Sequence, residues 1–254
     1  MSPTPKLVVS VCSSFAAFVG SWALVQYLDR LQVVPTVVFE MLFSLGHSTI
    51  LGCLLPLWLS SRFRLRGPAE RPNPWREIAG WAVYTLVLFL TLVGSGSASE
   101  LWAHPPSPGV ALRYALTFFP MTLSIALYCL HLIPRMIAAT VRGPRLRVAL
   151  VLLLPSVAAF LGFCADSLFS DMALAGGMAF MVFLLGVGQL LERRFVVCWA
   201  VLFTFMLLNT LRFAHHDRFS LAIAAVGTGL CLTGVAGYAL WWRRHPTEGS
   251  GIMA

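Results

Sequence analysis

The amino-acid sequence predicts an all-α integral membrane protein that crosses the bilayer eight times and keeps both termini in the cytoplasm. Hydrophobic residues make up 58% of the 254-residue chain and charged residues only 11%, with a mean hydropathy of +0.81. A soluble domain is about 45–50% apolar and about 25% charged. The apolar residues also fall into eight long runs, and most basic residues lie between them. This composition excludes a soluble enzyme, a secreted disulfide scaffold and a disordered regulator.

Each predicted helix is an apolar stretch close to the roughly 20 residues that a membrane-spanning helix requires. The first stretch is too long for the apolar core of a signal peptide and lacks a small-residue cleavage site, so we expect it to be retained. We expect one helical-bundle domain over 1–254, with a short flexible tail at 245–254. The predicted helices cover about residues 7–28, 33–59, 79–99, 110–134, 147–165, 172–191, 195–214 and 220–242.

The distribution of positive charge predicts the orientation of the bundle. The segments 60–78, 135–147 and 193–194, together with the two ends of the chain, carry fourteen of the 18 lysine and arginine residues. Cytoplasmic loops of membrane proteins are enriched in these residues, so these segments are predicted to face the cytoplasm from a multi-pass position in the inner membrane. The net charge of +8 therefore indicates topology, and we expect the lipid bilayer, not nucleic acid, as a partner.

No cofactor or metal site is expected from the sequence. The six cysteines are scattered singly, without a CxxC pair or metal-ligand spacing. The chain contains no HExxH, P-loop or GxGxxG motif, and no pair of histidines with the spacing of a b-type haem site.

Glu40 and His47 are candidate binding residues because polar groups at membrane depth are functional suspects. A charged side chain there costs at least about 2.5–3.5 kcal/mol on insertion scales. Seven residues make nearly two helical turns, so the two side chains are predicted to share one face. They form either a proton-handling or metal-binding face, as in a proton-coupled transporter, or a structural pair. In the structural reading Glu40 pairs with an arginine, Arg212 before Arg113, and His47 hydrogen-bonds a backbone carbonyl.

Further candidates lie in the fourth, fifth and seventh predicted helices. His131 is either a binding residue or a packed histidine in the cytoplasmic half of the fourth. Cys164 ends the fifth helix, while Asn209, Arg212 and His215 lie at the outer end of the seventh. If these two helices are neighbours, a thiol, a guanidinium and an imidazole meet at one depth, and the thiol gains nucleophilic character. The other reading is a set of ordinary interfacial residues.

The order of segments over about residues 60–210 resembles the CAAX-protease and bacteriocin-processing (CPBP) family of intramembrane proteases. A basic loop ends in Pro74-Trp75-Arg76-Glu77 before a helix, and the fourth helix runs into a basic turn that begins at Pro134-Arg135. The sixth ends in Leu191-Glu192-Arg193-Arg194, and Trp199-Ala200 opens a helix that reaches Asn209. The resemblance implies an intramembrane protease fold, in which family members use glutamate and histidine to activate water.

The residues that correspond to the family's catalytic positions differ in this chain. The paired glutamates and the arginine correspond to Ala126, Leu127 and His131, and the two histidines correspond to Cys164 and Phe205; Asn209 is kept. We therefore expect a protein without catalytic activity that binds a membrane-protein partner or a hydrophobic or lipidated peptide.

A second resemblance, to exosortases, supplies the alternative of an active enzyme. Exosortases are multi-spanning transpeptidase-like proteins with a cysteine at the outer face and a later Asn-x-x-Arg, which here corresponds to Cys164 and to Asn209 through Arg212. This resemblance implies a cysteine-type intramembrane peptidase or transpeptidase in which Cys164 is the nucleophile. Arg212 would then stabilise the oxyanion and His215 would be the base.

Overall fold

The computed structural model describes residues 3–65, 74–90, 105–167, 172–192, 194–211 and 220–244, with three single positions between 99 and 103. Within these ranges the chain forms eight helices and no strand, which confirms the all-α prediction. The predicted tail at 245–254 lies outside the described residues. The helices are α1 (Pro3–Leu31), α2 (Thr36–Arg62), α3 (Pro74–Phe89), α4 (Pro108–Thr140), α5 (Pro144–Ser167), α6 (Met172–Glu192), α7 (Phe195–Leu211) and α8 (Leu221–Arg244).

Five of the described helices contain a stretch long and apolar enough to cross a membrane. Two shorter apolar stretches lie in α6 and α7. Large hydrophobic side chains such as Leu24, Leu153 and Leu232 are more than half exposed on the outside of the bundle. Such a surface suits lipid rather than water, since soluble proteins rarely expose large contiguous apolar patches. The five stretches are Pro5–Asp29, Thr36–Arg62, Pro108–Thr140, Pro144–Leu161 and Leu221–Arg244.

The helix α4 lies at the centre of the bundle. Its apolar stretch is 83% buried, whereas the other four are 17–44% buried. It packs against α2, α7 and α8 along its length, and its last turns also contact α1 and α5. A helix that is apolar on all sides is expected in such a central place.

Two of the helices contain π-helical segments, Leu42–Leu54 in α2 and Leu127–Leu132 in α4. The hydroxyl of Thr49 donates to the carbonyl oxygen of Ser44, five residues earlier, over 2.7 Å. A π turn holds more residues than an α turn because its hydrogen bonds join residues five apart. The side chains that share a face along α2 therefore differ from those of a regular α-helix.

Side-chain contacts gather the arginine-rich helix ends at one end of the bundle, here called the arginine-rich end. Arg135 Nη1 donates to the carbonyl oxygen of Leu65 over 2.6 Å, which joins the ends of α4 and α2. Arg194 and Glu77 form a salt bridge of 2.7 Å between the starts of α7 and α3. The first turns of α1 and the last turns of α8 also pack against this end of α4. The start of α1 and the end of α8 thus lie on the same side of the bundle.

Candidate functional site

His47 lies in the π-helical segment of α2, is only 2% exposed, and bonds to α1. Its Nδ1 is 2.8 Å from Ser21 Oγ, and the ring also hydrogen-bonds the Phe18 backbone. The Ser21 hydroxyl also lies 2.8 Å from the Phe18 carbonyl oxygen. A neutral imidazole has one donor and one acceptor nitrogen, and the Ser21 hydroxyl can take either role opposite Nδ1, according to the tautomer of the ring.

A column of aromatic rings fixes the position of the His47 imidazole. The ring stacks on Phe18 with centroids 4.4 Å apart and lies 5.2 Å from the ring of Trp22. Phe18 stacks in turn on Tyr128 of α4 at 4.8 Å, and the Tyr128 hydroxyl is 3.0 Å from the Leu51 carbonyl oxygen. The column ties α1, α2 and α4 together, so the ring that stacks on His47 is itself packed against α4.

An apolar cavity adjoins this column and is called the His47 cavity below. It measures about 50 Å³, opens outward, and lies between α1, α2, α4 and α5. Phe15 and Trp22 line it from α1, while Ala158 and Ala159 line it from α5. The space exists because two consecutive alanines face large aromatic side chains. His47 supplies a polar group to a wall that is otherwise almost entirely apolar.

Glu40 interacts with the start of α8. The carboxyl group is buried, and Oε2 accepts the backbone N–H of Ser220 over 2.9 Å. Ser220 is the residue whose carbonyl accepts the first hydrogen bond of α8, from Ala224. The first N–H groups of a helix lack partners within the helix, and a negative charge near them is favourable. Glu40 thus acts as an external cap of α8.

The pairing of Glu40 with an arginine stays a prediction. Arg212, the first choice, lies outside the described residues, and the contact that the structure gives the carboxylate is the Ser220 N–H. The hydrogen-bond partners of the two residues lie on different helices, α8 for Glu40 and α1 for His47. The expectation that the two side chains share one face stays a prediction.

His131 belongs to a separate cluster at the arginine-rich end. Its Nε2 lies 2.9 Å from Arg135 Nη1 and 3.4 Å from the Tyr238 hydroxyl. Its ring meets Phe195 of α7 and Tyr238 of α8 edge to face. The described contacts of His131 and His47 therefore involve different helices and different partners.

The structure does not test the proposed thiol site. Cys164 and Asn209 belong to α5 and α7, but their side chains are outside the described part, as are Arg212 and His215 altogether. The helix α6 packs against both α5 and α7. The meeting of thiol, guanidinium and imidazole stays a prediction.

Apolar packing surrounds three of the positions that the resemblance aligns with CPBP catalytic residues. Ala126 and Phe205 belong to one buried hydrophobic cluster, and Leu127 is 2% exposed in another. In the described residues no group of three or more His, Cys, Asp or Glu side chains is placed to hold a metal ion.

Sequence reasoning found His47 but missed the α1 side of its site. Ser21 and Trp22 lie within a helix whose apolar residues show no preferred face, so nothing in the spacing marked them. The one available signal was that Ser21 lies close to two aromatic residues, Phe18 and Trp22. That signal is weak, because serine is common in membrane helices.

Comparison with known proteins gives no relative of this chain. No family model matches it, and neither a curated protein nor a solved structure does. The resemblances to CPBP proteases and exosortases therefore rest on the residues quoted above. The physical properties of the His47 cavity are the basis for assigning a function.

Proposed function

We propose that this protein is a multi-pass inner-membrane protein that binds a hydrophobic or lipidated peptide in the His47 cavity and performs no chemistry on it. The observation that carries the proposal is a preformed apolar cavity at the depth of the apolar helix stretches, with the imidazole of His47 in its wall. Ligand sites typically combine an apolar lining with a few polar groups that fix orientation.

The proposed topology has eight spans and both termini in the cytoplasm. The contacts that gather the arginine-rich helix ends on one side of the bundle support it. These ends carry most of the positive charge of the chain, and the positive-inside rule assigns such an end to the cytoplasm. The three helices without a long apolar stretch, α3, α6 and α7, are included as spans. Each of them has to connect opposite ends of the bundle if the helices before and after it also cross.

The shape of the cavity favours a single hydrocarbon chain as the inserted group. A helix with its side chains is about 10–12 Å across, too wide for a space bounded by side chains of four packed helices. An acyl chain or an aliphatic side chain is narrow enough, and each buried Å² of apolar surface contributes about 25 cal/mol. We expect the His47 imidazole to hydrogen-bond the peptide group next to that chain. This polar contact favours a peptide over a plain hydrocarbon.

The absence of catalysis in the proposal follows from the CPBP-like positions. Where the family carries glutamates and a histidine, this chain has Ala126, Leu127 and Phe205, all buried among apolar neighbours. Such side chains do not activate water. A divergent, non-catalytic relationship to the CPBP family is part of the proposal and is supported by these positions and the segment order.

The two alternative functions have no supporting observation among the described residues. A transporter that uses Glu40 and His47 as one proton path would bring the two side chains to a common partner, but their contacts lie on different helices. The cysteine-peptidase alternative needs Cys164 beside Arg212 and His215, which are outside the described side chains.

Filling the cavity tests the proposal. The full-length protein in lipid nanodiscs is titrated with a fluorescent peptide that carries an N-terminal acyl chain. Ala159→Leu places a larger side chain in the cavity, and we expect affinity to fall by at least about tenfold, since a lost apolar contact of about 1.4 kcal/mol has that effect. The matched control is Ala149→Leu, at an exposed position of the same helix, and should bind as the wild type does. Equal binding by the two variants would contradict the proposal.

A second variant separates the hydrogen bond from the shape of the cavity. His47→Phe keeps an aromatic ring next to Phe18 but removes both ring nitrogens. We expect the acylated peptide to bind about 2–10-fold more weakly, the range for one hydrogen bond. Binding of an acyl chain that lacks a peptide group should not change.

A further inference from the structure

Arg135 is a guanidinium held inside the arginine-rich end of the bundle by uncharged groups only, as far as the described residues show. It is partly buried on α4, one turn beyond His131. Its acceptors are the Leu65 carbonyl oxygen at 2.6 Å, His131 Nε2 at 2.9 Å and the Tyr238 hydroxyl. None of these carries a negative charge. Placing a cation away from water without a counter-charge is unfavourable, so the cluster is suited to receive an anion.

The hydrogen-bond pattern leaves donors available for that anion. An arginine has five N–H donors and no acceptor, so His131 Nε2 accepts from Arg135 and the hydrogen of the ring is on Nδ1. Both hydrogens of Nη1 are engaged by Leu65 and His131. The remaining three N–H groups of Arg135 lie on Nε and Nη2, and in the described part of the chain the Tyr238 hydroxyl is the group that interacts with this side of the guanidinium. Since the Nε2 lone pair is used by Arg135, the Tyr238 hydroxyl, 3.4 Å away, can direct its own hydrogen elsewhere.

The cluster lies at the level of a membrane–water interface. Tyr238 is one turn before the sequence Trp241-Trp242-Arg243-Arg244, which ends α8. Tryptophans gather at the headgroup level of a bilayer, and basic residues lie just beyond it. Arg243 and Arg244 are exposed, so they add positive potential at the same end. Basic pockets between membrane helices on the cytoplasmic side are a known type of site for lipid phosphates.

We propose that Arg135, with His131 and Tyr238, forms a binding site for the phosphate of an anionic phospholipid headgroup. Arg135 donates N–H groups to the phosphate oxygens, and the Tyr238 hydroxyl donates a further hydrogen bond. His131 positions the guanidinium by accepting from Nη1. The site lies at the arginine-rich end, whereas the His47 cavity is lined by α1 and α5, so the two sites bind independently.

The test measures retention of phosphatidylglycerol by the full chain. Wild-type protein and variants are purified in nanodiscs of phosphatidylcholine with a minor fraction of phosphatidylglycerol, and bound lipid is counted by native mass spectrometry after gentle release. Arg135→Gln should reduce the apparent affinity for phosphatidylglycerol about tenfold or more, the effect of losing a hydrogen bond to a charged group. The control Arg145→Gln removes the same charge from an exposed position near the start of α5 and should retain the lipid as the wild type does.

Two further measurements separate a lipid site from a structural role and from a site for free phosphate. Tyr238→Phe leaves the Arg135 bonds to Leu65 and His131 in place, and should lower phosphatidylglycerol retention several-fold without changing the amount of folded protein. Inorganic phosphate should raise the unfolding temperature of the wild type by no more than it raises that of Arg135→Gln. Retention by Arg135→Gln equal to that by Arg145→Gln would overturn the proposal. Protection by inorganic phosphate that depends on Arg135 would overturn the assignment to a lipid.

Discussion

Replacing Gly52 by alanine should destabilise the bundle, because Gly52 of α2 faces Ser124 of α4 with no room for another carbon atom. The added Cβ would overlap the Cβ of Ser124 and would stand 2.9 Å from its Oγ and 3.0 Å from Cε2 of Phe18. Carbon atoms rest about 3.5–4.0 Å apart, so the contact with Phe18 would be about 0.5–1 Å too short. The Cβ of Ser124 is attached directly to the backbone, so α2 and α4 would have to separate.

The expected magnitude follows from two opposing contributions. Overpacking a well-packed core typically costs about 1–3 kcal/mol. Alanine stabilises the interior of a helix by about 0.5–1 kcal/mol relative to glycine. The net loss in the free energy of unfolding for Gly52→Ala should be about 0–2.5 kcal/mol. Gly46→Ala is the matched control, because Gly46 lies in the same π-helical segment with no atom within 4 Å of the added carbon.

The assay is equilibrium unfolding in mixed micelles, with the free energies of both variants compared with that of the wild type. The difference between Gly52→Ala and Gly46→Ala isolates the overpacking and should be about 1–3 kcal/mol. In Gly52→Ala with Ser124→Gly, the loss should be partly restored, since residues in contact couple by about 0.5–3 kcal/mol. If Gly52→Ala is as stable as Gly46→Ala, the close approach of α2 and α4 is wrong.

Three further predictions concern topology, the cap of α8 and the thiol. A reporter fused at residue 68 should be found in the cytoplasm and one at residue 106 outside it; the reverse would overturn the orientation. Glu40→Ala should lower the free energy of unfolding by about 1–3 kcal/mol by leaving the Ser220 N–H without an acceptor, while Glu40→Gln, which keeps an acceptor oxygen, should lose less; equal losses would exclude the capping role. Cys164→Ala should fold and bind acylated peptide as the wild type does, and loss of binding with normal assembly would contradict a non-catalytic function.

The helical fold and the approximate positions of the helices could be predicted because bilayer-compatible helices are set by local composition. The predicted ends of the helices were less accurate. The fourth helix was predicted to end at residue 134 but continues to Thr140, since Pro134 lies at the start of a new α-helical stretch after the π-helical turn, where a missing N–H is tolerated.

The partners of the polar residues could not be predicted, because they depend on how distant helices pack. Glu40 meets the backbone of Ser220, which is 180 positions away in sequence. The sequence suggested a backbone carbonyl as one partner of His47, and the Phe18 backbone is among its partners. The cavity itself depends on Ala158 and Ala159 facing the aromatic rings of α1, and no periodicity in α5 indicates which alanines face a space rather than a packed neighbour.

Photo-crosslinking from inside the His47 cavity tests the central claim most directly. A diazirine-bearing aliphatic residue is placed at Val19, which lines the cavity, and in a control at Leu24, which is 57% exposed on the same helix. Irradiation in the native membrane, followed by mass spectrometry, identifies what each position touches. The account predicts that Val19 crosslinks an acylated or strongly apolar peptide and that Leu24 crosslinks bulk phospholipid. Bulk phospholipid at both positions would contradict the claim that the cavity binds a peptide.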